Sequence, residues 1–164
     1  MPSPLILEVD IQCESWRRDV DDVDALCARA VKEAANATDR VTNRTEVSVM
    51  LCDDDFIRAL NRQYRNKDAP TNVLAFPLDG ASSTALPGGP PNLLGDIVIA
   101  HGTVAREAAD AGRSVDHHLC HMVVHGMLHL LGFDHVADAA AEEMEEMESQ
   151  ILARLGIADP YADD

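Results

Sequence analysis

From Leu5 to Ile11 the chain alternates, with Leu5, Leu7, Val9 and Ile11 apolar and Glu8 and Asp10 acidic. A period of two gathers the apolar set on one face, the pattern of a half-buried strand. Glu46–Leu51 repeats it with β-branched residues on one side and predicts a second strand. After Pro70, which cannot continue a helix, Val73–Phe76 reads as a short third strand. Leu93–Ala100 (LLGDIVIA) is almost continuously apolar, as a central strand covered on both faces requires.

Between these runs the period becomes helical. Asp19–Ala37 places Val20, Val23, Leu26, Cys27, Ala30, Val31 and Ala34 at helical spacing, with acids in the first turns. Asp53 is a candidate N-cap for a helix with Ile57, Leu60 and Tyr64 on one face and Arg58, Arg62 and Arg65 opposite or flanking it. By charge alone those arginines read as a solvated basic face. His101–Gly112 carries a narrow stripe of Val104, Ala108 and Ala111 and stops at Gly112. Ser114 should cap the next helix, whose Val115, Leu119, Met122, Val123, Leu128 and Leu130 predict burial nearly all round. The last helix, Asp138–Leu155, repeats Met144, Met147, Ile151 and Leu155, with Gly156 as its C-cap. The five glutamates between 142 and 148 then read as its solvated, dipole-favoured face. Asp79–Asn92, rich in Gly, Pro, Ser and Thr without apolar periodicity, predicts an exposed, flexible loop.

These four strands and five helices fit one domain over residues 1–164, because a chain of this length usually forms a single core. Hydrophobic residues at 46% and charged residues at 26% exclude wholesale disorder. Cys13, Cys27, Cys52 and Cys120 lack any CxxC pairing, so they read as small buried side chains in a reducing compartment. The first residues lack a signal peptide's basic region and long apolar core, and no apolar run reaches the ~18 residues of a membrane span. A cytoplasmic protein without a membrane partner is the expectation. The net charge of −16 counts against a polyanionic partner unless a local basic patch, such as Arg58, Arg62, Arg65 and Lys67, offsets it.

The chemistry lies in His125–His135, HGMLHLLGFDH. His125 and His129, four apart, point the same way from a helix, within reach of one ion. Gly132 can take the left-handed conformation that ends a helix and so return His135 toward the pair. Three imidazoles suit one zinc ion, although spacing alone leaves nickel or another divalent ion open, and they leave a position for catalysis. The pattern resembles the metzincin protease motif HExxHxxGxxH, except that residue 126 is Gly where those proteases carry their general-base Glu. That absence disfavours peptide hydrolysis. A phosphodiester is the better target, with an arginine clamping a phosphoryl oxygen.

HMVVHGMLHLLGFDH, LNRQYRNKDAPTNVLAFP, LLGDIVIA and the EEMEEMESQILARLG helix together resemble the YbeY family of bacterial endoribonucleases, from about Val47 to Tyr161. The resemblance implies an α+β domain with a small mixed sheet and a central buried helix that carries the metal site. It also implies one Zn2+ on His125, His129 and His135, with Arg65 on the functionally required arginine. The implied activity is cleavage of single-stranded RNA in 16S rRNA 3′-end maturation and ribosome quality control, with the small ribosomal subunit and assembly factors as partners. Ala75 replaces a common Ser of the family pattern, and Phe133 a common Tyr. A zinc hydrolase of a peptide or small molecule, or an assembly factor with a structural metal, are the rival readings. Asp134 could orient an imidazole or cap the helix end, His121 reads as a satisfied core histidine, His101, His117 and His118 as surface or helix-end residues, and Asn72 as a turn former.

Overall fold

The alternation of the first seven described residues is what lets them form an edge of the sheet: β1 (Leu5–Ile11) turns Leu5, Leu7, Val9 and Ile11 inward and Ile6, Glu8 and Asp10 outward. The computed structural model describes residues 5–38, 41, 45–78, 92–133 and 138–161. After β1 come α1 (Ser15–Asp19), α2 (Val23–Asn36), β2 (Thr45–Cys52), α3 (Asp54–Arg65), β3 (Val73–Pro77) and β4 (Asn92–Ala100). Then α4 (His101–Asp110), α5 (Val115–Leu130) and α6 (Asp138–Arg154) complete the described elements. The expected loop falls on residues 79–91, outside the described residues, and Asn92 already belongs to β4.

The four strands form one mixed sheet in the order β1-β2-β4-β3, with β1, β2 and β4 parallel and β3 antiparallel along β4. The fold is therefore α+β. One face, built from Val47, Val49, Leu51, Ile97 and Ile99, joins α2 and α5 in a single apolar core. On the other face Cys52, Leu74, Val98 and Ala100 pack with Ile57 of α3. That division follows from the alternation, since successive strand residues point to opposite sides. Cys27, Cys52 and Cys120 are buried thiols pushed up to about 12 by burial, which leaves them unreactive near neutral pH.

Six helices stand where five are expected, because α1 precedes the segment expected to be helical over Asp19–Ala37, and the helix of that segment, α2, begins only at Val23. Trp16, Val20, Val23 and Cys27 are all buried at steps of four, three and four, so the apolar period runs straight through a break in the backbone. The break is local: Val20 is extended, and Asp22 caps α2 by accepting a hydrogen bond from the Ala25 amide at 3.1 Å. It buries Trp16 fully, with its indole N–H donating to the Cys52 carbonyl at 3.1 Å. It also brings Asp19 within 2.6 Å of His101, which begins α4, one of the two places expected for it, and is only 9% exposed.

Candidate metal and phosphodiester site

Helix α5 reaches its position because Gly126 has no side chain. A Cβ there would lie 2.7 Å from Ile97 Cγ2 of β4, so helix and sheet approach too closely for any larger residue. The position that carries a general-base Glu in the metzincin motif is therefore sterically closed. The helix ends as its sequence predicts. Gly132 has φ +98°, its amide donates to the His129 carbonyl and the Phe133 amide to the Leu128 carbonyl, both at 3.0 Å, which is a Schellman turn.

His125 and His129 project from one face of α5 with their Nε2 atoms 3.1 Å apart. Two imidazole nitrogens bound to one tetrahedral ion at about 2.0–2.1 Å would stand about 3.3 Å apart, so the pair fits two corners of such a site. His135 and Asp134 lie outside the described residues. Among the described residues no three metal-ligating side chains come together.

Behind this pair lies a group absent from the sequence-based reading. Glu148 of α6 is fully buried, and its carboxylate accepts from His125 Nδ1, from His121 Nε2 at 2.9 Å and from the Tyr161 hydroxyl. It was expected on a solvated face; instead it takes a core position and binds three partners. Burial alone would raise its carboxyl, but the hydrogen bonds from His121 and His125 outweigh that and hold it below the usual carboxylate range. Burial and the neighbouring Glu148 push the Tyr161 phenol up, so the hydroxyl stays protonated and donates. Tyr161 is itself placed by Asp159, which accepts from its amide at 2.9 Å and from Ser149 Oγ at 2.7 Å. With Nδ1 donating to Glu148, His125 presents Nε2 as a lone pair on the side of His129. His121 is the core histidine it was read as, 6% exposed, but only half satisfied: Nε2 meets Glu148, while Nδ1 is buried with no hydrogen-bond partner among the described residues.

The two histidines open into a cleft of about 450 Å³ lined also by Arg65, Gly126, residues 71–75 and Pro77. Arg65 arrives there from the last turn of α3, which ends at Asn66 in the left-handed conformation (φ 57°). Buried Asn61 pins the following turn by donating to the Ala69 carbonyl at 2.9 Å. The basic cluster is not uniform. Arg58 is held by Asp68 at 2.8 Å, whereas no ion pair holds Arg65 among the described residues. Asn72 shapes the cleft wall: its side-chain oxygen accepts from the Val73 amide at 2.7 Å and its amide donates to Glu107 Oε1 at 3.0 Å. His118, read as a surface or helix-end residue, lies in the first turn of α5 with its side chain 12% exposed and meets the same Glu107 oxygen at 2.9 Å.

Comparison with known proteins gives a consistent result. A family model described as Endoribonuclease YbeY matches residues 10–156. A Rhodopseudomonas palustris protein named Endoribonuclease YbeY is 52% identical over 155 residues, 94% of this chain and 80% of that protein. Proteins of the same name from Nitrobacter winogradskyi (48% identity; 96% of this chain, 82% of theirs) and Bradyrhizobium diazoefficiens (48% identity; 99% and 88%) are similar. In fold, the chain resembles a Thermotoga maritima protein solved in solution, with a TM-score of 0.53, 20% identity and coverage of 96% of this chain and 100% of that one.

Proposed function

The chain belongs to the endoribonuclease YbeY family, and from that premise we propose that it is a zinc-dependent, single-strand-specific endoribonuclease. Its substrate is the 16S rRNA precursor, cleaved during 3′-end maturation and ribosome quality control in the cytoplasm, with the small ribosomal subunit and assembly factors as partners. The observation that carries this reading is the single cleft lined by Arg65, His125 and His129. No described helix is long and apolar enough to cross a membrane.

His125 and His129, with His135, would hold the ion, and Glu148 keeps His125 in the tautomer that ligation needs. When bound, the ion supplies a Lewis acid for a phosphoryl oxygen and acidifies a water to near-neutral pKa. Arg65 contributes a planar, permanently charged fork that can hold a second phosphoryl oxygen and neutralise charge as it builds on phosphorus. The edge strand β3 forms one wall of the cleft and guides an extended single strand past both groups. The closed space at Gly126 disfavours the peptidase reading, since that reaction needs a base where none can be placed.

The test is cleavage of an end-labelled single-stranded RNA by protein purified in parallel with its variants, so that contaminating nuclease appears equally in all. Arg65→Ala should lower the rate by about 10²–10³-fold, as loss of one transition-state charge contact does. His129→Ala should remove both activity and bound zinc. If both variants cut RNA at the wild-type rate, the proposal fails.

A further inference from the structure

On the opposite face of β3 from the histidine cleft lies a second cavity, of about 400 Å³, that nothing above uses. Its roof is a stripe of α3 one turn apart at each step, Phe56, Leu60 and Tyr64. Its floor includes Phe76 of β3, with Ser48 of β2 and Asp96 of β4 beside it. Phe56 is 39% and Tyr64 61% exposed, large apolar area for a helix whose Ile57 is fully buried. The Tyr64 and Phe76 rings stand 5.2 Å apart at 63°, an edge-to-face pair at the border of the cavity.

We propose that this cavity takes one nucleobase of the single-stranded RNA whose phosphate sits at Arg65, and that it prefers a base with an exocyclic amino group. The proposal rests on the endoribonuclease reading. Continuity with the site is the first argument: Tyr64 lines this cavity and Arg65, the next residue, lines the other, so their Cα atoms are about 3.8 Å apart. Strand β3 is shared in the same way, with Val73, Leu74, Ala75 and Pro77 lining the histidine cleft and Phe76 lining this cavity. A strand crossing this edge keeps a phosphate on the cationic side and lays the attached base on the aromatic side. Charge is the second argument. Among the described residues no Lys or Arg lines this cavity and Asp96 does, which repels a phosphate but accepts a hydrogen bond from an amino group such as cytosine N4. Aromatic platforms are how proteins hold unpaired bases.

The experiment measures equilibrium binding of short 2′-O-methyl oligonucleotides to the zinc-loaded protein by fluorescence anisotropy, with oligocytidine, oligouridine and an abasic ribose-phosphate chain as probes. Tyr64 is exposed, so Tyr64→Leu keeps the fold. It should weaken oligocytidine binding by about tenfold and leave the abasic chain unaffected, while Tyr64→Phe binds like wild type. Asp96→Ala should erase the preference for oligocytidine over oligouridine. If Tyr64→Leu binds oligocytidine as wild type does, the base site is overturned and the cavity is left to an apolar side chain of a protein partner. A wild-type protein that binds and cuts no RNA overturns the endoribonuclease reading, and this one with it.

Discussion

Glu148 stands four residues after Met144 and three before Ile151, inside the stripe that buries those two residues fully. A carboxylate in that place has to be compensated, since an unpaired buried charge costs several kcal/mol. His121, His125 and Tyr161 supply the compensation. Composition hides such a residue among the other glutamates of α6, and only its phase in the helical period sets it apart. The histidines were legible for the opposite reason: polar side chains on an apolar helix stand out. Glu148→Gln keeps the shape but weakens the acceptor that orients His125, so zinc affinity should fall about 10–100-fold in a chelator competition, with far-UV circular dichroism unchanged. Unaltered affinity would reduce Glu148 to a packing role. His118 offers a second test. Burial lowers its pKa; Glu107 from α4 opposes that, while His121 on its own helix and Arg113 from the connecting turn add to it. A histidine held below its unfolded value of about 6.5 binds fewer protons folded than unfolded, so stability is lost as pH falls through that value. His118→Gln should remove this component, seen as a smaller drop in urea midpoint between about pH 7 and 5 than in wild type.

At the scale of elements, the strands were readable because alternation is a direct imprint of the pleat, and the parallel register Leu5↔Thr45 through Ile11↔Leu51 aligns two such runs residue by residue. Helix α1 and the late start of α2 were not, because apolar spacing reports which side chains are buried and is indifferent to the three residues, Val20 to Asp22, that separate the two helices and keep the phase. Strand order was equally invisible, since it depends on which faces α2, α3 and α5 cover. The contact between α5 and β4 shows how one residue sets the spacing of two elements. Ala is worth about 1 kcal/mol more than Gly in a helix interior. At position 126, however, the added methyl would meet a branched carbon of Ile97 attached directly to its Cβ, which cannot swing away. Overpacking of that kind costs about 1–3 kcal/mol and outweighs the propensity gain. Gly126→Ala should therefore lower the denaturation midpoint, and Ile97→Ala in the same chain should recover part of the loss, so that the two costs are less than additive. Strict additivity would place the cost elsewhere than in this contact.

For the whole molecule, the decisive quantity is the imbalance between 29 acidic and 13 basic residues, which makes an RNA-cutting protein that repels RNA at a distance. The cleft escapes this only locally. Arg65 lines it, Arg62 is one turn away on α3, and Lys67 follows the helix end, while Arg58 is already engaged by Asp68. Each phosphate neutralised on a single strand contributes about −0.7 to the slope of log K against log salt, so three cations set a limit near −2. Screening of the remaining negative charge acts in the opposite sense and makes the slope shallower still. Binding of a short oligoribonucleotide, titrated between about 50 and 300 mM salt, should accordingly show a slope between about 0 and −2, with base stacking supplying most of the affinity. A slope steeper than about −4 would mean that more phosphates are held than these side chains can reach, and would place the RNA on a different surface.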